Sequence, residues 1–336
     1  MRLALLVVWL VAAPAAAQQS HVLVITGLGG DTEYTEQFHE WAVTLIDAAV
    51  SRYKVPAENI IYLGEKPDLA PEAISNRSSR ENVEAAVDDI AARAAPGDHV
   101  IIVLFGHGSY TDAARINLPG RDLSADDFAD LIGRLGGQQV TFVNTASASG
   151  PFIEKLSGDG RTVVTATRSG GERNAAIFGG YFVEAFAGGQ DEADQNKDSR
   201  VSMLEAFTYA RLRVEQSYAA DGLLATEHAL LDDDGDGEGT GEPDPLTGDG
   251  MLARSLFFTG GEGVRAEVAF PDDPQLAARY EEQQVLETRV EELRRLRDGA
   301  DPEQYAQELE RLLIELAFKS REIRELEAAK TEPETR

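Results

Sequence analysis

The chain has 336 residues, no cysteine, and 59 Asp+Glu against 31 Lys+Arg, for a net charge of -28. Such a surface repels nucleic acid and anionic membranes, both polyanions, and suits a binder of divalent cations. Without cysteine, the core has only packing and metal to stabilise it.

Arg2, the apolar run Leu3 to Val11 and the small-residue stretch ending in Ala15-x-Ala17 read as a signal peptide over residues 1–17. The apolar core is too short for a stable span, and no later stretch is long enough. We therefore expect an exported protein, periplasmic or extracellular, with no membrane span.

From residue 21 strands and helices alternate. His21–Thr26 reads as a strand and Thr35–Tyr53 as a helix, with Phe38, Ala42, Leu45, Ile46 and Ala49 on one face. Asn59–Leu63 is the next strand, and Ser79–Ala94 a helix whose start carries Ser79-x-x-Asn82. A buried strand over His99–Phe105 is followed by a helix over Ser124–Leu135. Then come strands over Gln139–Val143 and Arg161–Ala166 and an aromatic helix over Phe178–Phe186. This alternation predicts a parallel sheet with right-handed crossovers, covered on both faces.

Residues 190–250 turn acidic and glycine-rich around a helix over Met203–Tyr218, and Ala253–Thr259 reads as a closing strand. Residues 273–330 carry apolar positions at 3–4 spacing in two runs, separated by Gly299-Ala300-Asp301-Pro302. That pattern predicts an antiparallel helical hairpin or coiled coil, packed on its own domain or joining copies into a homo-oligomer.

Two strand ends carry the chemistry. One ends in Phe105-Gly106-His107-Gly108-Ser109, the other in Asn144-Thr145-Ala146-Ser147-Ala148-Ser149-Gly150, and Ser147 lies 40 positions (147 minus 107) beyond His107. Neighbouring parallel strands bring their carboxyl ends together, where ligands and catalytic groups collect. A hydroxyl nucleophile at Ser147, a base at His107 and backbone donors near Gly108 would form an acyl-transfer site.

These residues resemble the caspase–legumain group of cysteine peptidases, and legumain-like bacterial proteins in particular. In that group one strand ends in His-Gly and the next in an acidic residue, x, Cys, x, Ser-Gly. Aligning Ser149-Gly150 puts Ser147 at the cysteine position and Thr145 at the acidic one. The resemblance spans residues 21–260 and implies a caspase-like three-layer α/β/α sandwich, residues 18–262 forming one domain. It also implies substrate contacts on the loop after the following strand, where Arg168, Ser169, Glu172 and Arg173 stand, with Arg168 or Arg173 suited to an acidic side chain and Glu172 to a basic one.

Serine in place of cysteine changes what the site can do. A thiol near pKa ~8.5 becomes a thiolate beside an imidazole, whereas a serine hydroxyl needs a base held in orientation by an acid. Two readings follow: a noncatalytic relative that still binds peptide or protein, or a serine-type hydrolase using Ser147 and His107. A scaffold assembled through the C-terminal helices is a third.

Asp194-x-Asn196-x-Asp198-x-Arg200-x-Ser202-x-x-Glu205 matches a calcium loop at positions 1, 3, 5, 7, 9 and 12, with Arg200 contributing its carbonyl and Glu205 two oxygens. Ser199 replaces the glycine usual at the sharp turn, and Ala187-Gly188-Gly189 leaves no continuous entering helix. Asp232, Asp234 and Asp236 repeat the first half of such a loop, but its twelfth position is Pro243, which has no oxygen in its side chain. A looser Ca²⁺ site and a flexible acidic loop both fit there, and His228 just before it reads as a packing residue. Gly27-Leu28-Gly29-Gly30 lacks the third glycine of a dinucleotide fingerprint, so a tight turn explains it.

Overall fold

The computed structural model describes residues 18–261, 274–295 and 302–331. The leader expected over 1–17 and the Gly299-Ala300-Asp301 break lie outside the described residues. The elements begin with β1 (Ser20–Thr26), α1 (Thr32–Ser51), β2 (Ile60–Gly64), β3 (Asn76–Arg77), α2 (Arg80–Arg93) and β4 (His99–Phe105). They continue with β5 (Gly108–Tyr110), β6 (Ala114–Ile116), β7 (Leu123–Ser124), α3 (Ala125–Ile132), β8 (Gln139–Asn144), α4 (Phe152–Leu156) and β9 (Arg161–Thr165). Last come α5 (Phe178–Ala187), α6 (Gln190–Ala193), α7 (Met203–Ala220), β10 (Leu230–Asp232), α8 (Pro274–Arg295) and α9 (Pro302–Thr331).

The main sheet has seven strands in the order β10-β9-β8-β4-β1-β2-β3. All pair in parallel except the edge strand β10, which runs antiparallel to β9. Side chains alternate across it. Val22, Val24, Ile101, Val103 and Phe105 face the layer of α1, α5 and α7. Leu23, Ile25, Val100, Ile102 and Leu104 face that of α2, α3 and α4. Both faces are dry, so the central strands are apolar throughout, and each such residue contributes roughly 1.5–3 kcal/mol by leaving water. The fold is the expected three-layer α/β/α sandwich on a mostly parallel sheet.

Helix starts follow the sequence. Ser79 caps α2 by accepting the Asn82 N–H, and Ser124 and Asp127 form a reciprocal capping box on α3. One expectation changes. Ala253–Ser255 is a 3-10 turn and the chain beyond it pairs in no ladder. Instead, Phe257 and Thr259 give their carbonyls to His99 Nδ1 and the Ser20 N–H. No continuous helix enters the Asp194 loop, as expected: α5 stops before Gly188-Gly189 and only the short turn α6 precedes Asp194. The segment after His107 forms a small antiparallel sheet, β5-β6-β7, which had no alternating pattern long enough to announce it.

Helices α8 and α9 form the expected antiparallel hairpin. Arg279 pairs with Glu322 at 3.6 Å and Lys319 with Glu282 at 2.6 Å, while Leu276, Tyr280 and Ile323 cluster between the helices. Among the described residues no helix is long and apolar enough to cross a membrane.

Candidate functional site

β4 and β8 are neighbours, so the turns after them meet at one edge of the sheet. Contact runs through Gly108. Its N–H donates to Ser147 Oγ at 3.3 Å, and the Ser147 hydroxyl donates to the Gly108 carbonyl at 3.2 Å. A Cβ on Gly108 would stand 2.1 Å from the Ser147 carbonyl oxygen, so only glycine allows the approach. Ser147 is 3% exposed and makes no hydrogen bond with His107. The backbone donor expected to hold an oxyanion is thus bonded to the nucleophile itself.

His107 is half-buried between two rings, with Tyr34 edge-on at 4.5 Å and Phe38 at 5.2 Å. Burial pushes its pKa down, against a backbone hydrogen bond at Gly29 and the charge of Asp31. Asp31 is therefore the acid nearest in effect to the imidazole, and it is also the N-cap of α1. Thr145, at the acidic position of the resembled motif, is buried and donates its hydroxyl to the Leu104 carbonyl at 2.8 Å.

The Ser-Gly pair is consumed by packing. Thr167 Oγ1 accepts the N–H groups of Ser149 and Gly150 at 2.8 and 3.2 Å, and a Cβ on Gly150 would lie 2.2 Å from the Arg168 backbone. Between Ser147 and that pair, Ala148 has φ +53°, a left-handed conformation costly for a non-glycine residue. Its N–H donates to the Glu172 carbonyl at 2.7 Å.

The 168–174 loop sits beside this turn. Arg168, Ser169 and Arg173 are exposed. Arg173 reaches the Tyr110 carbonyl at 3.2 Å, and the Tyr110 ring lies where a Cβ on Gly170 would be. Glu172 is not free for a basic ligand: its carboxylate holds Arg168 Nε at 3.1 Å and His228 Nδ1 at 2.7 Å. His228 is thus an exposed partner of Glu172, where the sequence suggested a packing residue. The glycines after β1 are explained by close approach, since a Cβ on Gly27 would stand 2.5 Å from the Asn117 carbonyl oxygen.

The Asp194 loop closes on its own backbone. Asp194 accepts the N–H groups of Asp198 and Ser199, Asn196 that of Asp198, and Asp198 that of Arg200. Glu205, in the first turn of α7, reaches back to the N–H groups of Gln195 and Asn196 at 3.0 and 3.3 Å. It also forms a capping box with Ser202. Lys197 and Ser199 have φ +57° and +63°, so the serine does occupy the left-handed position where glycine is usual. Arg200 pairs with Asp198 at 3.1 Å and lies over the Phe257 ring. Burial, then neighbouring carboxylates, push Glu205 up to about 8 and Asp194 up to about 6.

The second acidic loop repeats this pattern. Asp232 accepts the Gly237 N–H, Asp234 that of Asp236 and Asp236 that of Glu238, with Gly235 and Gly237 at φ +83° and +81°. The distal acid is Asp249, which sequence analysis missed. It accepts the N–H groups of Asp233 and Asp234 at 2.9 and 3.4 Å, as Glu205 does for Gln195 and Asn196. Its carboxyl is pushed up to about 6, chiefly by burial and then by Asp234 and Asp232. Asp249 lies 17 positions (249 minus 232) past Asp232, outside any fixed loop spacing. Among the described residues no three His, Asp or Glu side chains stand as a finished metal cage. In the first loop, half of the six matched positions offer amide, carbonyl or hydroxyl oxygen, and the acids are turned towards backbone N–H groups.

Solved structures share part of this architecture at low identity. A Geobacter sulfurreducens protein determined as a structural-genomics target is 12% identical, covering 72% of this chain and 99% of its own, with a TM-score of 0.44. Caspase-1 from Spodoptera frugiperda is 8% identical over 65% of this chain and 87% of its own, TM-score 0.40. drICE is 11% identical over 61% and 86%, TM-score 0.31. No residue role transfers at that level of likeness. No family model and no curated protein matches the sequence.

Proposed function

We propose that this chain is an exported, calcium-binding protein of caspase/legumain-like architecture that grips a peptide or protein at the His107–Ser147 edge without cutting it. The observation that carries this reading is the Ser147 hydroxyl, which bonds both ways with the Gly108 main chain and leaves His107 to aromatic rings and the Gly29 backbone. A serine without a base in reach and an acid behind that base is a poor nucleophile. Peptide contact falls to exposed Arg168, Ser169 and Arg173, while Glu172 braces the loop from within.

Calcium belongs to the same proposal. Asp194, Asn196, Asp198, the Arg200 carbonyl, Ser202 and Glu205 would hold one ion. Asp232, Asp234, Asp236 and Asp249 would hold a second. Buried, crowded carboxylates support this, because a divalent cation offsets the burial, and then the repulsion, that raise their pKa values. The ions would be structural, ordering a glycine-rich segment that has little core of its own.

Treatment with a fluorophosphonate probe in Ca²⁺ tests the central claim. The expected result is no labelling of folded wild-type protein. Labelling that disappears in both Ser147→Ala and His107→Ala would overturn it in favour of a serine-type hydrolase, the second reading, which the strained backbone at Ala148 supports. A third reading, assembly through α8 and α9, draws on exposed Val285, Ile314 and Phe318. An unchanged sedimentation coefficient in Phe318→Glu would count against it.

A further inference from the structure

An open groove of 870 Å³ lies between α1 and α5, separate from both acidic loops. Its floor is Trp41, whose ring also touches Phe38 and Phe105 at 5.8 and 5.9 Å. The facing helix is cut back to glycine over that ring: a Cβ on Gly180 would come 3.1 Å from the indole. The walls are acidic. Glu33, Glu36 and Glu40 line one face of α1 at spacings of three and four, where like charges repel. None of the three forms an ion pair among the described residues. Glu184 lines the α5 side, already engaged by the Tyr209 hydroxyl at 2.8 Å.

The groove also lies near the site described above. Its Thr32 and Glu33 follow the Asp31 cap and share the first turn of α1 with Tyr34, which packs on His107 at 4.5 Å. A peptide lying across the His107–Ser147 edge would continue into it.

We propose that this groove receives basic side chains of the peptide ligand, with Arg or Lys cations among Glu33, Glu36 and Glu40, beside Trp41. The inference rests on the peptide-binding reading and adds to it the ligand's chemical class. The repulsion along α1 argues for a cationic peptide rather than an apolar one, since positive charge relieves it.

Tryptophan itself supplies the probe. The chain has 2 Trp, at positions 9 and 41, so in full-length protein carrying Trp9→Phe the emission reports on Trp41 alone. That protein is titrated at ~0.15 M salt with an arginine-rich octapeptide and, separately, with a glutamate-rich one. The expected result is a saturable change with the first only, weakened about tenfold in Glu33→Gln/Glu36→Gln/Glu40→Gln, as three partly exposed ion pairs would give. A control triple, Glu308→Gln/Glu310→Gln/Glu315→Gln, removes the same charge from the remote α9 and should bind like the parent. Equal weakening in the control would mean net charge alone attracts the peptide, and would overturn the inference. So would binding by calorimetry that depends on Arg168 and Arg173 but ignores the groove triple, though it would leave the peptide-binding reading standing. No binding of either peptide by calorimetry would remove both.

Discussion

The Ser147 turn and the Asp194 loop both gather buried polar groups at the ends of secondary structure, yet they solve the problem differently. At Ser147 every hydroxyl finds a main-chain or side-chain partner of no net charge: Ser147 with Gly108, Thr145 with Leu104, Ser149 with Thr167. The arrangement is complete without a ligand. The Asp194 loop also satisfies its carboxylates with backbone N–H groups, but it leaves three acids crowded beside one another, two of them with strongly raised pKa values. Hydrogen bonds can saturate oxygens without cancelling charge. A neutral cluster can therefore be self-sufficient, whereas an acidic one calls for a cation.

Calcium should separate the two regions most sharply. Adding Ca²⁺ at a hundredfold excess over its dissociation constant should stabilise the protein by about 2.7 kcal/mol, a rise in Tm of at least ~5 °C over EGTA. Glu205→Gln should remove one ion and Asp249→Asn the other, counted by calorimetry. A melting curve indifferent to chelator would break the comparison.

Gly108→Ala probes the self-sufficient side. With 2.1 Å between the added Cβ and the Ser147 carbonyl oxygen, the turns must part, at a cost of about 1–3 kcal/mol in urea unfolding. Ser147→Ala should cost only about 1 kcal/mol, since it loses one hydroxyl's exchange with Gly108. A Gly108→Ala protein as stable as wild type would mean the turns are not pressed together.

Proton linkage gives the smallest and most gradual effect. In EGTA, Glu205 and Asp194 hold protons more tightly folded than unfolded. Their contribution is complete below the ordinary carboxylate range and lost as pH rises through about 6 for Asp194 and about 8 for Glu205. Metal-free protein should therefore melt progressively lower between about pH 5 and pH 8. Saturating Ca²⁺ should flatten or reverse that slope, because it binds the ionised form. A metal-free slope of opposite sign would contradict the burial and crowding of these acids on which the comparison stands.

Much of this was legible in the chain. Apolar runs such as Val100–Phe105 place the central strands, because a strand dry on both faces has few polar alternatives. Ser79 and Ser124 mark helix starts through a local hydrogen bond. The 194–205 loop is local too: its side-chain to backbone hydrogen bonds close within twelve residues. Asp249, Asp31 beside His107, and the Glu172–His228 pair were not legible, since each partner arrives from a different segment. Trp41 in its groove belongs with them, for its exposure depends on glycines in α5, more than a hundred residues away. Sequence determined what is decided within a few turns of chain, where backbone hydrogen bonds and periodicity act. Tertiary structure alone decided which hydroxyl meets which backbone and which acid closes which loop, because those pairings are set by packing across the sheet.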